Sequence, residues 1–211
     1  MAVHTDGHSL TDHLLENAML QIRIHGRGGQ GVVTAADMLA IAAFNQGRHA
    51  QSFPSFGSER TGAPVVAFCR IDDREIRLRE PILSPDVLIV QDPTLLHQVD
   101  VFQGLKPDGY VLINSRKSLD ELGLSEMTQG RDRSHLLTVP ATDIAIAHVG
   151  RPLPNAVLLG GFAALAGLIS LDAVEHAIRD RFTGKVAEGN VAAARQAFEH
   201  VRQELLEQTH A

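Results

Sequence analysis

Six consecutive residues, Gly26-Arg27-Gly28-Gly29-Gln30-Gly31, have the types and spacing to bind a phosphate. They fit the template G-x-G-x-x-G, in which glycines allow a tight turn and close approach of an anion, while unpaired N–H groups at a helix start face it. The chemistry is recognition, with no nucleophile or acid–base pair in the run. Taken alone, the glycines also permit a turn that binds nothing. In the dinucleotide version of the template a carboxylate about 20 positions later holds the ribose hydroxyls. Here Arg48-His49-Ala50-Gln51-Ser52-Phe53 supplies none, which disfavours NAD. Arg48 leaves NADP or another phosphorylated nucleotide open.

A strand and a helix must position this turn. Leu20, Ile22 and Ile24 alternate with Gln21, Arg23 and His25, the period of a strand with two unlike faces. From Val32 to Phe44 only Thr34 and Asp37 are polar, which predicts a helix buried nearly all round and stopped at Gly47. Further along, VLIV at 87–90 and YVLI at 110–113 read as central parallel strands, and LLTV at 136–139 as another. Asp92 caps a short helix through Phe102. Asp92, Asn114 and Ser115 follow strand ends and are second-tier site candidates, each equally able to cap a helix. Pro64–Ile71 and Glu75–Leu78 suggest an antiparallel hairpin across Asp72-Asp73-Arg74. His49–Thr61 reads as an irregular loop, either functional or pinned to the core by Phe53 and Phe56. Residues 116–134 read as an exposed excursion. The apolar, glycine-bearing stretch Asn155–Ile169 predicts a buried helix or a subunit interface, and amphipathic helices follow at 171–182 and 186–207. The fold class is therefore α/β: a Rossmann-like, mostly parallel sheet flanked by helices, with a β-hairpin insertion and a helical C-terminal segment. Residues 1–18 form an N-terminal arm, and residues 19–211 a single domain.

Composition narrows the function classes. A formal charge of -6 and no long basic run argue against nucleic acid as partner. The single cysteine, Cys69, excludes a disulfide framework and any iron–sulfur cluster bound by this chain alone. It reads as a small core residue. His4, His8 and His13 have spacings open to a metal, but a solvated arm is the simpler reading. No apolar run approaches the roughly 18 unbroken residues of a membrane span, so a cytoplasmic protein is expected.

Four blocks together carry a family resemblance: IHGRGGQGVVTAADMLAIAAF, QSFPSFGSERTGAPVVAFCRI, RPLPNAVLLGGFAALAGLI and FTGKVAEGNVAAARQAFE. They resemble the gamma subunit, or gamma domain, of the 2-oxoacid:acceptor oxidoreductases, which act on pyruvate, 2-oxoglutarate, branched-chain or aryl 2-oxoacids. The likeness runs from about Leu20 to Phe198. Ser58 stands where the family often has proline, and the histidine-bearing arm lies outside the pattern.

The resemblance implies a subunit that works inside a complex. Partner alpha and beta subunits would hold thiamine diphosphate, Mg and 4Fe–4S clusters, often with a ferredoxin-like delta subunit. Such a complex decarboxylates a 2-oxoacid oxidatively, passes the acyl group to coenzyme A and delivers electrons to ferredoxin or an NAD-reducing subunit. This chain's share would be coenzyme A, a pyrophosphate and phosphomonoester ligand suited to Gly26, Arg27, Gly28, Gly29, Gln30, Gly31 and Thr34. In that reading Arg27 adds a multi-donor cation, and Gln30 and Thr34 add hydrogen bonds. No residue is assigned a catalytic role. The alternatives are a non-catalytic scaffold in the same complex and, less well supported, an NAD(P) reductase. One outcome follows from Cys69 being alone and from the lack of a recognisable G-D-G thiamine diphosphate motif. The purified chain is expected to carry no iron by metal analysis and to reduce no dye with 2-oxoacids; an iron-loaded or decarboxylating chain would overturn this.

Overall fold

A computed structural model describes residues 19–55 and 61–209. The histidine-bearing arm and Phe56–Arg60 lie outside the described residues. Six strands form one sheet in the order β2-β3-β1-β4-β5-β6. β1 (Leu20–Arg27), β4 (Val87–Val90), β5 (Tyr110–Asn114) and β6 (Leu136–Val139) run parallel. β2 (His49–Pro54) and β3 (Pro64–Asp72) complete an antiparallel edge, β3 pairing with both β1 and β2. The mostly parallel α/β sheet expected from the apolar runs is present.

The strand alternation decides what each face packs against. Ile22, Ile24, Val87, Ile89, Leu112 and Val139 face a layer of helices and share its core. That layer contains α1 (Val32–Asn45), α3 (Ala141–Val149), α4 (Asn155–Ala166), α5 (Leu171–Arg181) and α6 (Gly184–Thr209). Leu88, Val90, Val111 and Ile113 face the other way, where irregular chain carrying Leu95, Val101, Leu105, Leu119 and Leu124 covers them. Arg23 ties that cover down, its guanidinium donating to the Val101 and Gln103 carbonyls at 2.8 and 2.7 Å.

Several expectations change. The hairpin forms between different partners: β3 pairs with His49–Pro54, and Glu75–Leu78 is irregular. The polar text of β2 hides a strand that long-range pairing supports, with the Phe53 and Phe68 rings 5.1 Å apart and the Ser52 hydroxyl on Asp37 at 2.6 Å. Cross-strand contacts of this kind outweigh local propensity. Glu75–Leu78 has no comparable apolar side to bury, and its carbonyl at Leu78 is instead taken by Arg70. The helix after Asp92 shortens to a 3₁₀ helix, Pro93–His97. The 116–134 excursion is partly anchored, since Leu119 and Leu124 are buried; its one α-helix is the short α2 (Ser125–Thr128). Cys69 is buried, and burial pushes its thiol above the ordinary range.

The apolar segment of α4 is buried by its own chain, chiefly by α6, α1 and the sheet, so it is a core helix and not a subunit interface. Glycine makes that packing possible: a methyl group on Gly160 would strike the Ala194 backbone carbonyl of α6. Gly161 meets only side chains, the nearest being Leu112 Cδ2 at 3.2 Å. Gly160→Ala is therefore expected to lower unfolding stability by about 3 kcal/mol through overpacking. Gly161→Ala should stay within about 1 kcal/mol, because side chains yield and alanine favours the helix. Urea unfolding of both variants checks the contrast.

Candidate functional site

At the carboxyl end of β1 the sheet changes sides. The helix after β1 lies on the helical face, whereas the 3₁₀ helix after β4 lies on the opposite face. This switch opens a crevice of the kind where open α/β sheets bind ligands. The glycine turn stands over it.

The turn is fixed from both sides. The Gly28 amide donates to the Ala63 carbonyl at 2.9 Å, and the Gly62 amide to the Gly28 carbonyl at 3.1 Å. Gly29 and Gly31 adopt positive φ, 95° and 72°, a region costly for residues with a Cβ. Gly31 caps α1 without a side-chain acceptor, and its carbonyl accepts from Ala35. The amides of Val32, Val33 and Thr34 thus precede the first intrahelical bond and have no hydrogen-bond partner among the described residues. They border a cleft of about 310 Å³ lined by Arg27, Gly28, Gly29, Gly31, Thr34 and their neighbours.

Gly26 does not line the cleft. A Cβ there would lie 2.6 Å from Val32 Cγ2, so Gly26 lets α1 start close against β1. The Arg27 and Gln30 side chains turn to the protein. Arg27 donates to Asp92 (3.2 Å), the Gly62 carbonyl (3.0 Å), Thr94 Oγ1 (2.7 Å) and Gln98 Oε1 (2.9 Å). Gln30 donates to Asp92 at 2.8 Å and accepts from the Arg27 amide at 2.8 Å. Asp92 joins the loops across the crevice. Burial alone would raise its carboxyl pKa, but hydrogen bonds from Thr94 and Gln30 and the Arg27 charge outweigh that and hold it below the usual range.

Of the second-tier residues, Asp92 is the brace, as well as the cap that accepts from the Thr94 amide. Asn114 is buried and accepts from the Thr142 amide near the start of α3. Ser115 accepts from the Lys117 amide. Arg48 lies beside the first residue of β2, which pairs with Asp72 at the opposite end of the sheet, and it is ion-paired to Asp73. It cannot reach a ribose at the turn. Sequence reasoning missed Asn155, the first residue of α4, whose side-chain Nδ2 lies 2.5 Å from where a Gly31 Cβ would be. The only local signal was an asparagine following Pro152-Leu153-Pro154 at a helix start.

Residues 21–200 match the pyruvate ferredoxin/flavodoxin oxidoreductase family. The chain belongs to this family. It is 50% identical over 181 residues to the pyruvate/ketoisovalerate oxidoreductases common subunit gamma of Pyrococcus abyssi, covering 86% of this chain and 96% of that one. It is 49% identical over 183 residues to pyruvate synthase subunit PorC of Methanothermobacter thermautotrophicus, covering 87% and 96%. The crystal structure of pyruvate oxidoreductase subunit PORC from Thermotoga maritima superposes with a TM-score of 0.74 at 36% identity, covering 86% and 96%. Within the family the chain is thus of the gamma type, a subunit of a multi-subunit 2-oxoacid oxidoreductase. Among the described residues no helix is long and apolar enough to cross a membrane, and no cluster of three or more His, Cys, Asp or Glu could hold a metal.

His25 precedes this turn and is buried, with its Nε2 unpartnered among the described residues. Burial first, and the Arg23 charge second, bring its pKa from 6.5 down to about 4. The unfolded chain therefore binds this proton more readily than the folded one between these two values. Stability from neutral His25 is complete above about pH 6.5 and falls as the pH drops toward 4, by roughly 3 kcal/mol. Urea unfolding across that range should show the loss in the native chain and a shallower one in His25→Gln.

Proposed function

We propose that this chain is the coenzyme A-holding gamma component of a cytoplasmic 2-oxoacid oxidoreductase complex. Partner alpha, beta and delta-type subunits hold thiamine diphosphate, Mg and 4Fe–4S clusters, and electrons pass to ferredoxin or an NAD-reducing subunit. The overall reaction converts a 2-oxoacid to an acyl-CoA. One observation carries the reading: the three unpartnered amides of Val32–Thr34 open on a cleft whose glycine wall is held rigid by Arg27, Gln30 and Asp92.

The chemistry fits a pyrophosphate. Oriented amides and the positive end of the α1 dipole attract an anion, and glycine leaves room for oxygens to approach the backbone. Gly28, Gly29 and Gly31 contribute main chain, Thr34 offers a hydroxyl at the cleft wall, and Gly26 sets the helix start. Arg27 and Gln30 act by holding the turn, with Arg27 also lending charge at the rim. Since the turn is built before ligand arrives, little ordering cost falls on binding. Bond making belongs to the partner subunits. This chain orients the acceptor thiol by fixing the nucleotide end of the carrier.

Gly29→Leu tests this in the assembled complex. No atom lies within 4 Å of a Cβ at Gly29, so the fold loses only the cost of its positive φ, about 1–2 kcal/mol. The KM for coenzyme A is expected to rise at least tenfold. Reduction of an artificial acceptor by the 2-oxoacid, run as a partial reaction without acyl transfer, should persist. An unchanged KM, or equal loss of both activities, would mean that the turn is a scaffold contact.

A further inference from the structure

We propose that residues 10–18 of the N-terminal arm pack on the outer side of α1, covering an apolar stripe that ends at Phe44. The inference concerns the end of α1 remote from the glycine turn and does not depend on what the cleft binds.

The stripe is a departure from the sequence pattern. The text from Val32 to Phe44 predicts burial nearly all round, yet only the inward side of α1 is buried. Val33, Ala40 and Ile41 are half-buried, and Phe44 is 73% exposed. These positions stand at i, i+7, i+8 and i+11, one face of a helix. Asp37, the acidic residue on that face, is already bonded to the Ser52 hydroxyl. The face therefore runs apolar from Val33, which lines the glycine cleft, to Phe44 at the opposite end. A continuous row of this kind, unlike a lone surface side chain, is surface that a further segment gains by burying.

The arm joins the domain at the matching place. α1 runs back from the carboxyl end of β1, so Phe44 lies at the amino end of the sheet, the end at which Leu20 pairs with Ile71 and His49 with Asp72. The arm enters β1 at that same end, and Leu20 already belongs to the core of the helical layer. In sequence the arm carries Leu10, Leu14, Leu15 and Ala18, spaced i, i+4, i+5 and i+8, with polar residues between them. That is the spacing of one apolar helical face, and Ser9 followed by Asp12 has the form of a capped start. Five residues from Leu15 to Leu20 span up to about 17 Å, more than the diameter of a helix, so Leu14 and Leu15 reach Phe44 without disturbing β1. Tethering favours this occupant over a separate molecule, which must supply by affinity the local concentration that a short link provides. The arm is also peculiar to this chain: the family match begins at residue 21, and the Pyrococcus abyssi relative is covered over 96% of its length against 86% of this one.

Limited digestion of the purified full-length chain with a glutamate-specific protease tests this. Cleavage after Glu16 should be slow compared with cleavage after Glu75, which is exposed in an irregular segment. Phe44→Ser and Leu14→Ser should each speed the Glu16 cut about tenfold, and the two together should add little more, because each alone breaks the same contact. Cleavage after Glu75 should not change in either variant. Leu14 lies outside the domain core, so its variant reads the contact even if Phe44→Ser were to unfold. Equal native rates at Glu16 and Glu75, or a Glu16 rate that neither substitution alters, would overturn the proposal. So would protection that vanishes on dilution, which assigns the stripe to a second copy, or protection that appears only when partner subunits are added, which assigns it to them.

Discussion

The chain leaves β1 and β4 toward opposite faces of the sheet, and one charged contact ties the two departing loops together. Arg27 from the first loop meets Asp92 from the second, and Gln30 and Thr94 complete the joint. Without it, the glycine turn would rest on backbone bonds, chiefly those to residues 62 and 63. Both ionic side chains are largely enclosed, at 20% and 13% exposure. An isolated surface pair contributes little. Here Gln30, Thr94 and Gln98 also bond to the carboxylate or the guanidinium, so the geometry is over-determined and loss of either charge leaves several partners unmatched. A turn rich in glycine is entropically costly to order. The brace places that cost in folding.

Much of the fold was legible because the strongest signals were local. The β1 alternation, the nearly all-apolar α1 and the VLIV and YVLI runs report burial directly. What failed was non-local. Nothing in His49-Ala50-Gln51-Ser52-Phe53-Pro54 announces a strand, since its support comes from Phe68 and Asp37. Conversely, Glu75–Leu78 has strand-like composition with no partner to bury against.

The site divides the same way. The six residues of the turn, Gly26 to Gly31, were marked by glycine spacing, because backbone geometry constrains sequence tightly there, and Thr34 was marked by its place at the helix start. Their division of labour was not legible. Spacing cannot tell whether an arginine faces the ligand or Asp92 65 residues away, and Asn155 meets Gly31 only through the packing of two helices.

That last contact links the core to the cleft. Gly160 allows α4 to lie against the α6 backbone at Ala194, and this close approach sets the position of α4. Asn155 stands five residues earlier, a turn and a half toward the α1 start. The position of Asn155 beside the Gly31 cap is therefore fixed by a glycine deep in the helical layer. Gly31 in turn starts the helix whose amides face the cleft. A close-packed interior transmits displacements instead of absorbing them. The apolar stretch, open in sequence to being a buried helix or an interface, is thus a buried support that holds the glycine turn and the start of α1 in place.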